Sequence, residues 1–154
     1  MEQGYAIYDT PVGLIRIEYR GANITRLKKT TDDTQDRGSS TPLTDEVNRQ
    51  LKEYFDGKRK EFDFPYEMNG TAFQKSVWEA LCAIPYGETR SYKDIAVAVG
   101  NAKASRAVGM ANNKNPIAIA VPCHRVIGAN GKMVGYASGL DMKEALLRLE
   151  AENK

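Results

Sequence analysis

Cysteine and histidine are scarce in this sequence: Cys82, Cys123 and a single His124 among 154 residues. Two thiols close at most one disulfide, so a disulfide-stapled mini-protein is excluded. One imidazole and two thiols do not make a set of four nitrogen and sulfur ligands, so a zinc site is not expected unless carboxylates complete one; no cofactor is expected. No stretch approaches the ~20 apolar residues of a membrane span. The longest uncharged run, Asn115–His124, covers 10 residues and contains two prolines. The start, Met1-Glu2-Gln3-Gly4, has neither a basic region nor an apolar core, so no secretory signal is expected. Free thiols and a cytoplasmic location are expected accordingly. No internal repeat is visible. What is present is ordinary for a folded globular chain: 42% hydrophobic residues, 27% charged residues and a net charge of +2. The length suits one compact domain or two small ones.

The charge is uneven. Residues 1–68 carry 11 Lys/Arg against 13 Asp/Glu, whereas 69–154 carry 11 against 7. Within 85–132 the bases are Arg90, Lys93, Lys103, Arg106, Lys114, Arg125 and Lys132, and the acids are only Glu88 and Asp94. Such a balance fits either a mildly basic surface or a face built for a polyanion, and charge counting does not separate them.

Residues 1–68 read as strands followed by a helix. Ile15, Ile17 and Tyr19 alternate with Arg16 and Glu18, the period of a half-buried strand. Tyr5–Tyr8 and Ile24–Lys28 are further strand candidates, with a turn at Asp9-Thr10-Pro11 and a polar loop over Thr30–Ser40. Thr41-Pro42 offers an N-cap and a first-turn proline. Leu43, Val47, Leu51 and Phe55 then form one apolar helix face, ended by Gly57. Phe62–Pro65 looks strand-like and leads into a candidate linker, Tyr66–Gly70.

Residues 69–154 read as mostly helical. Thr71-x-x-Gln74 and Ser91-x-x-Asp94 are capping boxes. Phe73, Val77, Leu81 and Ile84 form a stripe behind the first; Ile95, Ala96 and Val99 follow the second. Gly100-Asn101 ends that helix, with Asn101 as N-cap for a third over Ala102–Asn112. Two short helices around a tight glycine turn have the form of a helix-turn-helix. Ala102, Ala104, Ser105, Ala107, Gly109 and Ala111 keep the third helix slim. Ile117–Val121 is strand-like, Ala129-Asn130-Gly131 is a turn, and a last helix over Asp141–Glu152 buries Met142, Ala145, Leu146 and Leu149.

Chemistry centres on Pro122-Cys123-His124-Arg125-Val126. A cysteine in an apolar stretch is ordinarily a buried structural residue, and Cys82 is expected to be one. Cys123 differs, because the sole histidine follows it. A thiol is a nucleophile only as the thiolate, and a neighbouring imidazole that takes its proton supplies that form. The imidazole needs an orienting carboxylate. Asp141, Glu144, Glu150 and Glu152 are all candidates, and spacing alone does not choose among them. On a regular strand Cys123 and His124 would face opposite sides. Their cooperation requires the chain to bend or turn helical after Pro122.

With Asn115-Pro116 before it and Gly135-Tyr136 after it, this run resembles the active-site signature of the O6-alkylguanine-DNA alkyltransferases. The resemblance covers most of residues 71–150. It extends through Phe73-x-x-x-Val77-Trp78-x-x-Leu81, Ile84-Pro85-Tyr86-Gly87, Ser91-Tyr92, Arg106-Ala107-Val108-Gly109, Gly139-Leu140, Lys143 and Leu146-Leu147-x-x-Glu150.

The resemblance implies an α+β chain. Residues 1–68 would form an antiparallel sheet with a helix, ribonuclease-H-like; residues 69–154 would form a winged-helix-like DNA-binding and alkyl-acceptor domain. It implies direct repair: the alkyl group of O6-alkylguanine, with O4-methylthymine a second candidate, moves irreversibly to Cys123 and consumes one protein per lesion. His124 matches the base, acting through a water; Glu150 the acid that orients it; Asn115 the residue shaping the turn; Tyr92 the one that helps rotate the nucleotide and polarises guanine. Arg106 matches the finger that fills the vacated place in the duplex. Tyr92, Lys93, Asn101, Ser105 and Ala107 fall with it on the DNA side, which in this family lies in the minor groove. Val126, Tyr136, Ala137 and Ser138 match the alkyl-base pocket. Ser138 stands where bacterial members often carry glycine, which puts bulky alkyl groups in doubt. A monomer, cooperative or not on DNA, is implied. The rivals are a non-catalytic lesion-binding protein, against which Cys123 argues directly, a thiol hydrolase and a plain helix-turn-helix regulator.

Overall fold

The computed structural model describes residues 2–31, 36–128 and 139–154. They form two compact units, 1–68 and 69–154.

In the first unit, β1 (Gln3–Thr10), β2 (Gly13–Arg20) and β3 (Asn23–Thr30) make an antiparallel sheet in that order. The register sets Ala6 opposite Ile17 and Ile17 opposite Leu27, so one face is continuously apolar. Helix α1 (Pro42–Phe55) lies on that face. Thr41 caps it, accepting from the Thr44 amide while Thr44 Oγ1 accepts from the Thr41 amide. Val47, Leu51 and Tyr54 bury against Ile15, Ile17, Ile24 and Leu27, all at most 1% exposed. Burial of each such side chain contributes roughly 1.5–3 kcal/mol, enough to hold a small sheet. Phe62–Pro65 is not a strand. Only Tyr66 bridges to Ile24, and the Glu67 amide donates to Ile24 O, so the head of the expected linker belongs to the first unit. Proline at 65 has no amide to donate to a ladder, which limits the pairing to that single bridge.

The second unit contains α2 (Ala72–Cys82), β4 (Arg90–Ser91), α3 (Tyr92–Ala98), α4 (Ser105–Asn113), β5 (Val126–Ile127) and α5 (Leu140–Asn153). Both expected capping boxes form, Thr71 with Gln74 and Ser91 with Asp94. Val77, Trp78 and Leu81 of α2 meet α4, where the Trp78 indole donates to Ala111 O at 2.9 Å. Ile84 is buried as expected but sits beyond the helix end. Cys82 is exposed, contrary to expectation, because it falls off the Val77–Leu81 stripe at the helix terminus. Helix α3 stops ahead of Gly100, whose φ of +84° suits glycine. The third helix starts later than its sequence suggests. Asn101 does not cap it: its Oδ1 accepts from the Lys103 amide in a local turn, and Ala104 is the uncapped N-terminal residue. In α5 the buried face is Met142, Lys143, Leu146 and Glu150, while Ala145 and Leu149 are half-buried.

Candidate active site

The expected strand over Ile117–Val121 is a buried turn. The Val121 amide donates to Ile117 O at 3.0 Å and the Ala120 amide to Ala118 O at 2.8 Å. The Asn115 side chain takes the place of a strand partner. Its amide donates to Val121 O at 2.8 Å and Ile117 O at 3.4 Å, and its Oδ1 accepts from the Ile117 amide at 3.0 Å. Ile119 is thereby held at φ +71°, a conformation that costs a β-branched residue of order 1–3 kcal/mol. A short apolar run reads alike whether it is a buried strand or a buried turn, which is why its periodicity misleads.

After Pro122 the chain makes one 3₁₀ turn, Cys123–Arg125, with the Arg125 amide donating to Pro122 O. This meets the condition set by the sequence: Cys123 and His124 are no longer on opposite sides of a strand. The turn exits into β5, which pairs parallel with β4, Arg90 opposite Val126 and Ser91 opposite Ile127. Tyr92 is the next residue after β4. The Cys123 turn and the start of α3 are therefore tied through two residue pairs. Asn112 of α4 adds a hydrogen bond to Cys123 O at 3.3 Å.

Of the four candidate carboxylates only Glu150 is buried; Asp141, Glu144 and Glu152 are exposed. Glu150 Oε2 lies 2.6 Å from His124 Nε2. The carboxylate also accepts from Arg125, Nε to Oε1 at 2.8 Å and Nη2 to Oε2 at 3.0 Å, and from the Gly87 amide at 3.2 Å. A carboxylate saturated by an arginine is ionised and only accepts. Nε2 of His124 therefore carries the proton, and in the neutral ring Nδ1 is the bare acceptor. Nδ1 is buried and has no hydrogen-bond partner among the described residues. Burial is the first cause that holds His124 below its ordinary pKa; Glu150 opposes this, and Arg125 and Lys143 reinforce it.

Two further groups lie within electrostatic reach of Cys123. Tyr92 is half-buried, and burial first, then the Cys123 charge, hold its hydroxyl above the usual phenol range. It stays a hydrogen-bond donor. Lys143 is fully buried, and its ammonium donates to Val126 O at 2.5 Å. Burial lowers its pKa to about 8, with the Cys123 charge opposing. The residues gave no role to Lys143 or Arg125 in advance; the seven-residue spacing of Lys143 and Glu150, two helical turns, is the signal that was there to read.

The remaining expected residues lie on the outer side. On α4, Arg106 and Ala107 are exposed and Ser105 is half-buried, while Val108, Ala111 and Asn112 face inward. Met110, 65% exposed, shares the outer face and was not anticipated. Lys93 and Asn101 are exposed. No Asp or Glu occurs between Asp94 and Asp141. The ring of Tyr92 packs over Gly109, where an added Cβ would meet it at 3.8 Å. Val126 is buried beside the turn. The pocket residues Tyr136, Ala137 and Ser138, and the turn at 129–131, lie outside the described residues.

A buried cysteine beside an imidazole–carboxylate pair, tied to a helix-turn-helix with an exposed basic face, defines a class: proteins that bring a thiol nucleophile to nucleic acid. The comparisons narrow it. A family described as "6-O-methylguanine DNA methyltransferase, DNA binding domain" matches residues 72–152, and its "ribonuclease-like domain" matches residues 4–68. The chain belongs to the 6-O-methylguanine DNA methyltransferase family. It is 51% identical over 154 residues to the methylated-DNA–protein-cysteine methyltransferase of Methanosarcina barkeri, covering 97% of this chain and 98% of the relative. It is 47% identical over 157 residues to the constitutive enzyme of that name from Bacillus subtilis, covering 95% and 94%. The crystal structure of the Mycobacterium tuberculosis O6-methylguanine methyltransferase superposes with a TM-score of 0.88 at 44% identity, covering 99% of this chain and 95% of that one. The same protein solved in complex with DNA gives a TM-score of 0.88 at 45% identity, covering 97% and 93%. These matches bear out the fold class, an α+β first unit followed by a mainly helical one.

Proposed function

We propose that this protein repairs alkylated DNA by moving the alkyl group of O6-alkylguanine to Cys123. One observation carries the reading: Cys123 sits on a tight turn beside His124, whose Nε2 is committed to Glu150 and whose buried Nδ1 is open. The thiol proton passes through a water to Nδ1. The thiolate attacks the alkyl carbon, a C–S bond forms, the C–O6 bond breaks, and the electron pair stays on guanine O6. The Tyr92 hydroxyl hydrogen-bonds the guanine as this negative charge develops, so its help is greatest in the transition state. The product is a thioether. Nothing in the site reverses it, so one protein serves one lesion.

The lesion is stacked inside a duplex and must be rotated out, at a cost of a few kcal/mol. Arg106, exposed on a slim helix, fills the gap from the minor groove and recovers part of that cost. Lys93, Asn101, Ser105 and Ala107 lie along the same approach and contact the DNA strands. Val126 forms one wall of the alkyl-base pocket, and Asn115 keeps the turn in shape. Residues 1–68 serve as the companion domain and 69–154 as the DNA-binding, alkyl-accepting one. The protein works as a cytoplasmic monomer on double-stranded DNA.

The test is intact-protein mass after mixing with excess duplex carrying one O6-methylguanine, followed by peptide mapping. A gain of one methyl group on Cys123, stopping at one per protein, is expected. An unchanged mass with tight duplex binding would make the protein a lesion sensor instead.

A further inference from the structure

We propose that Arg125 is a positioning residue whose guanidinium fork neutralises the buried Glu150 carboxylate and so keeps His124 an uncharged base. The inference rests on the reading of His124 as the proton acceptor for Cys123.

A carboxylate 2.6 Å from a buried imidazole, acting alone, favours the imidazolium. An imidazolium has no lone pair left to take the thiol proton. Here the same carboxylate faces a permanent cation through two parallel hydrogen bonds, and Oε2 is shared between His124 and Arg125. The third corner of the guanidinium donates to Ile84 O at 2.7 Å, so the fork is fixed in plane and orientation. The three anchors fix where the positive charge sits, and that charge is what neutralises Glu150; lysine at this position keeps the charge while giving up the fork.

The charge balance of the cluster supports the same conclusion. The charged groups that act on His124 are Glu150 and Lys143 on α5 and Arg125 on its own turn; Tyr86 in the α2–α3 connection faces Glu150 and Arg125, and Tyr92 on α3 faces Cys123. Both tyrosines are held above the phenol range and are neutral. Among the described residues of 69–154, every carboxylate except Glu150 is exposed, and residues 129–138 contain no Asp or Glu. Before its proton leaves, Cys123 is a neutral thiol, and the buried cluster then holds one anion, Glu150, against the two basic side chains Arg125 and Lys143. An imidazolium would add another cation where charge is least tolerated.

The chain has one histidine, so its imidazole is a single resolvable reporter. Nitrogen-15 NMR of the ring in the DNA-free protein gives tautomer and titration directly. The wild type is expected to show the neutral Nε2–H tautomer at pH 7. In R125M the imidazole midpoint rises by about 1–3 pH units, the usual effect of an unneutralised carboxylate in contact. R125K, which retains the charge, stays with the wild type. An imidazolium in the wild type at pH 7, an unmoved midpoint in folded R125M, or a midpoint raised in R125K each overturns the proposal. If R125M does not fold, R125Q, which keeps a donor toward Glu150 without charge, takes its place with the same expected rise. The readout needs no alkyl donor. A protein that titrates as expected yet transfers no methyl group removes the repair reading, while one that transfers methyl with an unmoved midpoint removes only this one.

Discussion

Lys143 and Glu150 stand two turns apart on the inner face of α5, and both reach the segment that carries Cys123. Lys143 donates to Val126 O, and Glu150 accepts from His124 and Arg125. One helix face thus brings an ammonium and a carboxylate to a single turn of backbone. The pair explains why the last helix of the chain, remote in sequence from Cys123, is part of the site. It also makes the stability of the protein depend on pH in an unusual direction.

Lys143 titrates at about 8 in the folded protein, against an ordinary 10.5. Between those values the unfolded chain binds a proton that the native protein does not, so stability rises with pH. The slope is at most ~1.4 kcal/mol per pH unit for one proton. Above pH 10 the tyrosines reverse it. Tyr8, Tyr86 and Tyr92 stay neutral when folded and ionise when unfolded. Urea unfolding between pH 8 and 10 is therefore expected to show increasing stability, and K143M is expected to flatten the rise. A wild-type curve that is level or falling over that window would remove the buried ammonium from the account.

The Asn115 side chain bonds both ends of the 117–121 turn, through three hydrogen bonds. N115A leaves buried carbonyl and amide groups unpaired at about 1–3 kcal/mol and releases the strained Ile119. Unfolding in urea should show a loss of about 2–4 kcal/mol. The thiol of Cys123, four residues from the strained Ile119, should also react differently with iodoacetamide. A variant as stable as the wild type would mean the turn holds itself.

These two cases also show where sequence reading stops. Caps were legible because they are local: Thr41, Thr71 and Ser91 each answer to a partner three residues on. The Cys123–His124 chemistry was legible because adjacency needs no fold. The strand assigned to 117–121 failed because a side chain, not a neighbouring strand, satisfies its backbone. Choosing Glu150 over Asp141, Glu144 and Glu152 from spacing was impossible, since burial decides it and burial is tertiary. Lys143 was hidden for the same reason: a lysine inside an apolar helix face reads as surface until something is found for its ammonium to hold.

Tyr92→Phe separates nucleophile from leaving group. The ring keeps its place over Gly109, so folding is unchanged. The hydroxyl proposed to steady the departing guanine oxygen is gone. Removing one such donor typically costs about 10²–10³ in rate. Single-turnover methyl transfer is expected to slow by that factor, while alkylation of Cys123 by iodoacetamide stays near the wild-type rate. If both reactions slow together, Tyr92 acts on the thiol and not on the guanine.

Arg106→Ala tests the outer face, and its interest lies in what it leaves intact. Arg106 is exposed and forms no ion pair among the described residues, so its loss should move stability by no more than about 0.5 kcal/mol. Its proposed work is to occupy the gap left by a rotated nucleotide, which matters only when there is a stack to open. Recovering even ~1.4 kcal/mol of the flipping cost is worth tenfold in the rate of duplex repair. Duplex O6-methylguanine should therefore be repaired at least about tenfold more slowly by R106A. A single strand carrying the same lesion, or the free methylated base, has no partner stack to open and should react nearly as with the wild type. An equal loss on all three substrates would show that Arg106 acts as a general phosphate contact, and the loss should then shrink as salt is raised. A loss confined to the duplex and insensitive to salt is the signature of the wedge.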